Sequence, residues 1–446
     1  MAEKTVTITT TSQNLPEKRY VTDFLFTFFL GIKYEWLFVE TNSQYEISFD
    51  NQKIKVADVF FSSFHQPLAY LSVENLPEKI SYSENPYTFL SDIPIIYGIN
   101  NFSKNENGLY CGIDLFASVF FMLTRWEEMV CPIRDAHNRF PGEASIAFKN
   151  NFLTRPVVNE YAELLWNMLE ACGFQGKRKK RESKLYLTHD IDHLFTSVTN
   201  RQIAADLCKR FDAPLARRHF QYKYTKNPYD QYNFLMDCSE RMNVKSRFYF
   251  KASDQVTRYD QDNYLTTGKF RNIIRNIQAR GHLIGFHPGY DTFLDEGKWT
   301  REKTLLEEAA QTKVLEGRQH YLRMQVPDTL LIWENNGMET DSTLGYADRN
   351  GFRCGTGDEF PVFDLVNRKQ MRLKERPLVV MDGTLKLNTA NSPEKSLEIV
   401  RDYLQTGRKF GMAITLLFHN SSFDEENWPG WKKMYGNLFE GRQEES

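Results

Sequence analysis

The sequence predicts an α/β protein: a mixed α/β domain followed by a C-terminal (β/α) barrel of about seven strands. Three observations carry this. The chain has 446 residues, enough for two or three domains. A basic polar run, Gly176 to Lys184, separates two apolar halves. Beyond it, short β-rich runs alternate with helical stretches at least six times, the pattern of a parallel sheet with crossover helices.

Composition narrows the function classes. Hydrophobic residues make up 41% and charged residues 26%, which argues for a globular protein and against disorder. Lys plus Arg (56) nearly balances Asp plus Glu (58), so the strongly basic footprint of a nucleic-acid binder is missing. Aromatics reach 14%, pointing to aromatic cores and, secondarily, to a sugar-stacking surface. The start Met1-Ala-Glu-Lys-Thr5 lacks the features of a secretory signal, and Phe24–Ile32 is too short to span a bilayer and reads as a buried helix. Six cysteines without a C-x-x-C pair predict free thiols and a cytoplasmic protein with no transmembrane segment.

Residues 1–175 read as the mixed α/β domain. Tyr45–Phe49 and Ile54–Phe60 alternate as strands. Asp114 can cap a helix running to Met129, and Val158, Tyr161, Leu165 and Leu169 repeat at helical intervals in a helix that stops at Gly173. His65 and His137 look isolated, so no reactive constellation is expected here. The basic run at 176–184 is expected to be a solvated linker.

In residues 185–446, strands are expected at Leu185–Thr188, Ser246–Phe250, His282–Phe286, His320–Met324, around Gly351–Cys354, at Leu378–Met381 and at Met412–Phe418. Helices are expected near 228–242, 269–280, 301–317 and 392–406. Chemistry in such barrels gathers where strands end. Here the ends deliver Asp190, Asp192 and His193; His287 and Asp291; Arg323; Asp382; and His419. Each piece alone fits a structural turn or a core histidine; their joint arrival at one face points to a site. His282 and His320 begin their strands and read as structural, and Phe286, Tyr290 and Trp333 are candidate pocket walls.

These residues resemble the polysaccharide deacetylases with a NodB-homology domain. Thr188-His-Asp190-Ile-Asp192 is similar to the family's T-F-D-D motif, with one residue inserted between the carboxylates, as in intracellular branches. His287-Pro-Gly-Tyr-Asp291 keeps the spacing of H-[ST]-x-x-H but carries aspartate at its end. Arg323-Met-Gln-Val-Pro327 partly matches R-x-P-Y, and Leu417-Phe-His419 matches L-x-H. The resemblance spans about residues 184–425, and the first half looks like a companion domain with no assigned chemistry.

The resemblance implies a distorted TIM-type barrel and a metal-dependent deacetylase acting on an N-acetylated sugar or glycoconjugate precursor. It implies one divalent metal ion held by Asp192, His287 and Asp291: zinc first, with Mn, Fe or Co as competitors. Asp190 would be the general base, Arg323 its orienting partner and His419 the general acid. Asp382 would hold His419, with His193 as a substitute ligand. Two alternatives stay open: hydrolysis of a non-sugar C–N bond on the same barrel, and a catalytically impaired homologue that binds a glycan or partner.

Overall fold

The computed structural model describes residues 5–196 and 198–439. Expectations about the extreme start, Met1 to Lys4, and about 440–446 at the end of the C-terminal domain lie outside the described residues. The chain builds two main sheets. The first has six strands in the order Lys33–Phe38, Thr5–Thr10, Gln44–Phe49, Gln52–Ala57, Gly108–Ile113 and Gly98–Asn105. Alternation of buried and half-exposed residues along Gln44–Phe49 places Tyr45, Ile47 and Phe49 against the core. The helices Leu115–Thr124 and Val157–Ala171 supply much of that core.

The second sheet has nine strands. Eight are mutually parallel, in the order Lys369–Glu375, Thr340–Asp341, Glu316–Gly317, Leu283–His287, Ser246–Lys251, Lys184–Ile191, Ala413–Leu417 and Val380–Met381. The ninth, Phe360–Asp364, pairs antiparallel with Lys369–Glu375 at one edge. Among the described residues the two edges do not pair, so the nine strands show no closed barrel where a distorted (β/α) barrel of about seven strands is expected. Amphipathic crossover helices at Gly268–Ala279, Glu296–Ala310 and Pro393–Phe410 cover the sheet.

Several elements depart from the sequence reading for local reasons. The helix capped by Asp114, which accepts from the Ala117 N–H at 3.0 Å, breaks at Arg125 (φ 53°) and restarts at Trp126. The Gly351–Cys354 stretch is a buried turn, not a strand. The fourth parallel strand is Glu316–Gly317, inside the expected helix, and His320–Leu322 is a single 3-10 turn. Gly317 explains the placement: a Cβ there would lie 2.0 Å from the Phe286 carbonyl oxygen, so only glycine lets these strands approach.

The basic run is mostly exposed but is pinned at several points. Arg178 pairs with Glu163 at 2.6 Å, Arg181 with Asp358, and the Lys179 N–H donates to the Leu30 carbonyl at 2.8 Å. One buried cluster runs from Val6 through both sheets to Phe439, and the Tyr20 hydroxyl donates to the Pro361 carbonyl at 2.8 Å. The first and second sheets therefore share a core.

Candidate metal centre

Five strand ends converge. Side chains alternate across a strand, so Asp190 and Asp192 face one side while His189 points to the other. His189 is buried between the Phe418 carbonyl (2.9 Å from Nδ1) and the Ser246 hydroxyl (3.2 Å from Nε2), a structural role. Asp192 turns into the site, with a quarter of its side chain open. Its Oδ1 lies 3.2 Å from His287 Nε2 and 3.5 Å from His320 Nε2, and its Oδ2 lies 3.7 Å from His419 Nε2.

The hydrogen bonds on the far side of each ring decide what faces Asp192. His287 Nδ1 donates to the Arg318 carbonyl at 2.6 Å, and His320 Nδ1 meets Asp260 Oδ1 at 2.9 Å. Both Nδ1 atoms thus carry protons, and in the neutral tautomer both Nε2 atoms are bare lone pairs. They point at a buried carboxylate oxygen that has no hydrogen-bond partner. Lone pairs aimed at lone pairs in a buried site call for a cation between them. The ligand atoms of Asp192, His287 and His320 lie within 4.8 Å of one another. One carboxylate and two imidazoles, each ring oriented by an outer acceptor, is a donor set that fits a divalent metal.

The same groups shift one another's protonation. Burial alone would raise the Asp192 carboxyl, but His320, His287 and His419 outweigh it and hold it well below the ordinary range. Burial would lower His320, yet Asp192 and Asp260 raise it. Burial also works against the His419 cation, and pairing with Asp382, with help from Asp192 and Asp190, lifts it to about 10. Asp382 Oδ1 lies 2.9 Å from His419 Nδ1, and Oδ2 accepts from the His419 backbone N–H at 2.6 Å and the Ser422 hydroxyl at 2.5 Å. The ring is fixed with Nε2 toward the cavity.

Two residues expected at the site stand elsewhere, and two others occupy the positions expected of them. Asp291 does not join the cluster: its side chain is 55% exposed and accepts from Arg323 Nη1 at 3.2 Å. Residues four apart share a face on a regular α-helix or β-strand, but here a loop and the 3-10 turn Tyr290–Thr292 follow His287 and carry Asp291 away. His320 takes the third position instead. Nor is Arg323 the partner of Asp190: it stacks over Tyr290 and Phe293 and donates to the Tyr290 and His137 carbonyls. Arg318 holds Asp190, Nη1 to Oδ1 at 2.8 Å. Both differences have one cause. With the strand at Glu316–Gly317, Arg318 and His320 are alternate residues just past its end, while Asp190 and Asp192 are alternate residues spanning the end of theirs.

A cavity of about 240 Å³ opens beside the cluster, with Asp190, Asp192, His193, His287, His320 and His419 on its wall. His193 is part of this wall, but its Nδ1 is held by Asp262 at 2.6 Å, outside the three-ligand group. The aromatic walls are Tyr259 and Tyr321. Phe286 and Trp333 are core residues packed around Trp299. His282 lies at the other end of its strand, accepting from the Ser246 N–H at 2.9 Å. Arg139, from the first half of the chain, also lines the cavity, which the sequence reading did not anticipate.

Comparison with known proteins adds the following. A family model described as a family of unknown function (DUF7033) matches residues 6–173. No curated protein matches the chain. Among solved structures, a Mycobacterium smegmatis protein assigned as a polysaccharide deacetylase is 18% identical, with 58% of this chain and 83% of that one covered at a TM-score of 0.38. The polysaccharide deacetylase Bc1974 from Bacillus cereus is 10% identical over 59% and 88% of the two chains, at 0.29. A mutant of BA3943, a CE4 family pseudoenzyme with restored enzymatic activity, is 11% identical over 59% and 64%, also at 0.29.

Proposed function

We propose that this protein is a metal-dependent hydrolase that removes an acetyl group from an N-acetylated sugar or glycoconjugate precursor. The observation that carries the reading is the buried, unpartnered Asp192 Oδ1 facing two imidazole nitrogens whose rings are locked by Arg318 and Asp260. With two imidazoles and one carboxylate, zinc suits the set, and Mn, Fe or Co are the competitors. A divalent cation there supplies Lewis acidity, lowering the pKa of water and polarising an acyl oxygen.

The chain's own residues supply the proton transfers. Arg318 engages Asp190 Oδ1, leaving Oδ2, 3.8 Å from His287 Nε2, to take a proton from an attacking water. His419, raised to about 10, is charged at neutral pH and presents Nε2 to the cavity. It can protonate the departing nitrogen, while Asp382 keeps its ring in place. Base and acid come from different strands, Lys184–Ile191 and Ala413–Leu417. Tyr259 and Tyr321 give the cavity flat apolar faces suited to a sugar ring.

The domain assignment follows: residues 185–446 carry the chemistry, and 1–175 accompany them. A cytoplasmic location is the companion proposal, supported by six free cysteines, five of them buried. Among the described residues no helix is long and apolar enough to cross a membrane.

The test is acetate release from a panel of N-acetylated mono- and oligosaccharides by zinc-loaded protein, with Asp190→Asn as control. Release that disappears in the control supports the reading. No release from any sugar, or release unchanged in Asp190→Asn, overturns it.

A further inference from the structure

The segment that follows the helix Trp126–Val130 leaves the first sheet and crosses to the metal centre. It is locally ordered: Asp135 Oδ1 accepts from the backbone N–H groups of His137 (2.8 Å) and Arg139 (2.9 Å). Asp135 Oδ2 binds Arg139 at Nε (2.8 Å) and Nη2 (2.7 Å). The guanidinium is thereby aimed, and its Nη1 donates to the Tyr321 carbonyl at 2.8 Å. A second contact lies beside it. His137 Nδ1 meets the Tyr290 hydroxyl at 3.0 Å, and its carbonyl accepts from Arg323 Nε at 3.0 Å.

What Arg139 grips is unusual backbone. Tyr321 (φ 61°) and Leu322 (φ 54°) are successive non-glycine residues in the left-handed region. Such residues persist where the surroundings hold them, and they concentrate at functional sites. They directly follow His320, whose Nε2 lies 3.5 Å from Asp192 Oδ1. The ring's outer nitrogen is set by Asp260, but the position of its backbone depends on this turn.

We propose that the N-terminal half is a working part of the metal site: Arg139 is a positioning residue that clamps the His320–Leu322 turn and so keeps His320 in register with Asp192 and His287. The inference rests on the three-ligand reading given under Proposed function. It gives residues 1–175 a role beyond packing, because the Arg139 guanidinium reaches the turn that carries His320. Arg139 lines the cavity, but its hydrogen bonds run to Asp135 and the Tyr321 carbonyl and not to Asp192, His287 or His320, so its effect on the ligands passes through Tyr321.

Zinc titration calorimetry on chelator-stripped, full-length protein tests this, together with thermal unfolding of the same stripped samples. Wild type is expected to take up one zinc per chain. Arg139→Ala is expected to bind it about 10- to 100-fold more weakly, the usual size of an outer-shell loss, while its metal-free unfolding temperature stays with the wild type's. Arg139→Lys, which keeps one donor for the Tyr321 carbonyl, should recover part of the affinity. Equal affinity in Arg139→Ala overturns the clamp. So does weaker binding accompanied by a matching fall in metal-free stability and no recovery in Arg139→Lys, which marks general loosening. A wild type that takes up no zinc defeats the proposed site itself, and the clamp with it.

Discussion

Arg318 Nη1 lies 2.8 Å from Asp190 Oδ1 and 3.0 Å from Thr188 Oγ1, with the guanidinium fully enclosed. Its Nε and Nη2 donate to the Ser342 carbonyl and hydroxyl at 2.8 and 2.9 Å, and its own carbonyl holds His287. One residue thus braces the proposed base by its side chain and a proposed ligand by its backbone. Breaking a buried pair from one side leaves an uncompensated charge, at a cost of about 3–5 kcal/mol. Arg318→Met should show that loss in urea unfolding; a change below about 1 kcal/mol, the value of a surface pair, would contradict the bracing role.

The acid assignment makes a separate prediction. His419 lies outside the three-ligand group, so His419→Ala should keep its metal. Its kcat should fall about 10²–10⁴-fold with a smaller change in KM, since protonating the leaving nitrogen matters only on the way through the transition state. Steady-state kinetics beside metal analysis checks both. Metal lost with His419→Ala makes it a ligand.

His189 sets a pH dependence of stability that is independent of catalysis. Burial holds its imidazole down at about 4, against an ordinary value near 6.5, even though the Phe418 carbonyl favours the charged form. Between those values the unfolded chain binds a proton that the folded one does not. Stability contributed by neutral His189 is therefore full above pH 6.5 and declines as pH falls toward 4, by up to about 3 kcal/mol. Urea midpoints at pH 7 and pH 5 should differ more in wild type than in His189→Gln. Equal differences would show that other groups carry the acid lability.

The thiols give a compartment test. All six cysteines are free, and Cys208 alone is exposed. A thiol reagent under non-reducing conditions should titrate about one group in the folded protein and all six after unfolding. Two or fewer in the unfolded chain would indicate disulfides and an oxidising location.

How much of the site was legible depended on how the backbone runs past each strand end. Asp190, Asp192 and His287 sit on or directly after strands with clear β-rich runs, and His419 follows the apolar run Ala413–Leu417, so their arrival at one face was legible from the strand ends. The place of His320 beside Asp192 was not legible, because Glu316–Gly317 is only two residues long and carries no hydrophobic signature. The apolar-looking His320–Met324 drew the strand assignment instead, shifting the arginine from Arg318 to Arg323 and leaving His320 as structural. Asp291 has a familiar spacing, but spacing specifies a face only within a regular helix or strand, and Asp291 lies in a 3-10 turn. Arg139 was invisible for another reason: its partner Tyr321 is far away in sequence, and its signal is a tertiary contact. Conversely, the open sheet and its antiparallel edge strand Phe360–Asp364 depend on strand pairing that periodicity does not encode.

The central claim is that Asp192, His287 and His320, and not Asp291, hold one divalent ion. Metal content of purified full-length protein after zinc loading and desalting, measured on wild type, Asp192→Ala, His320→Ala and Asp291→Ala, tests it most directly. The account predicts one zinc per chain in wild type and in Asp291→Ala, and loss of it in Asp192→Ala and His320→Ala with the fold retained by circular dichroism. Metal retained in both Asp192→Ala and His320→Ala, or lost on removing Asp291, would contradict it.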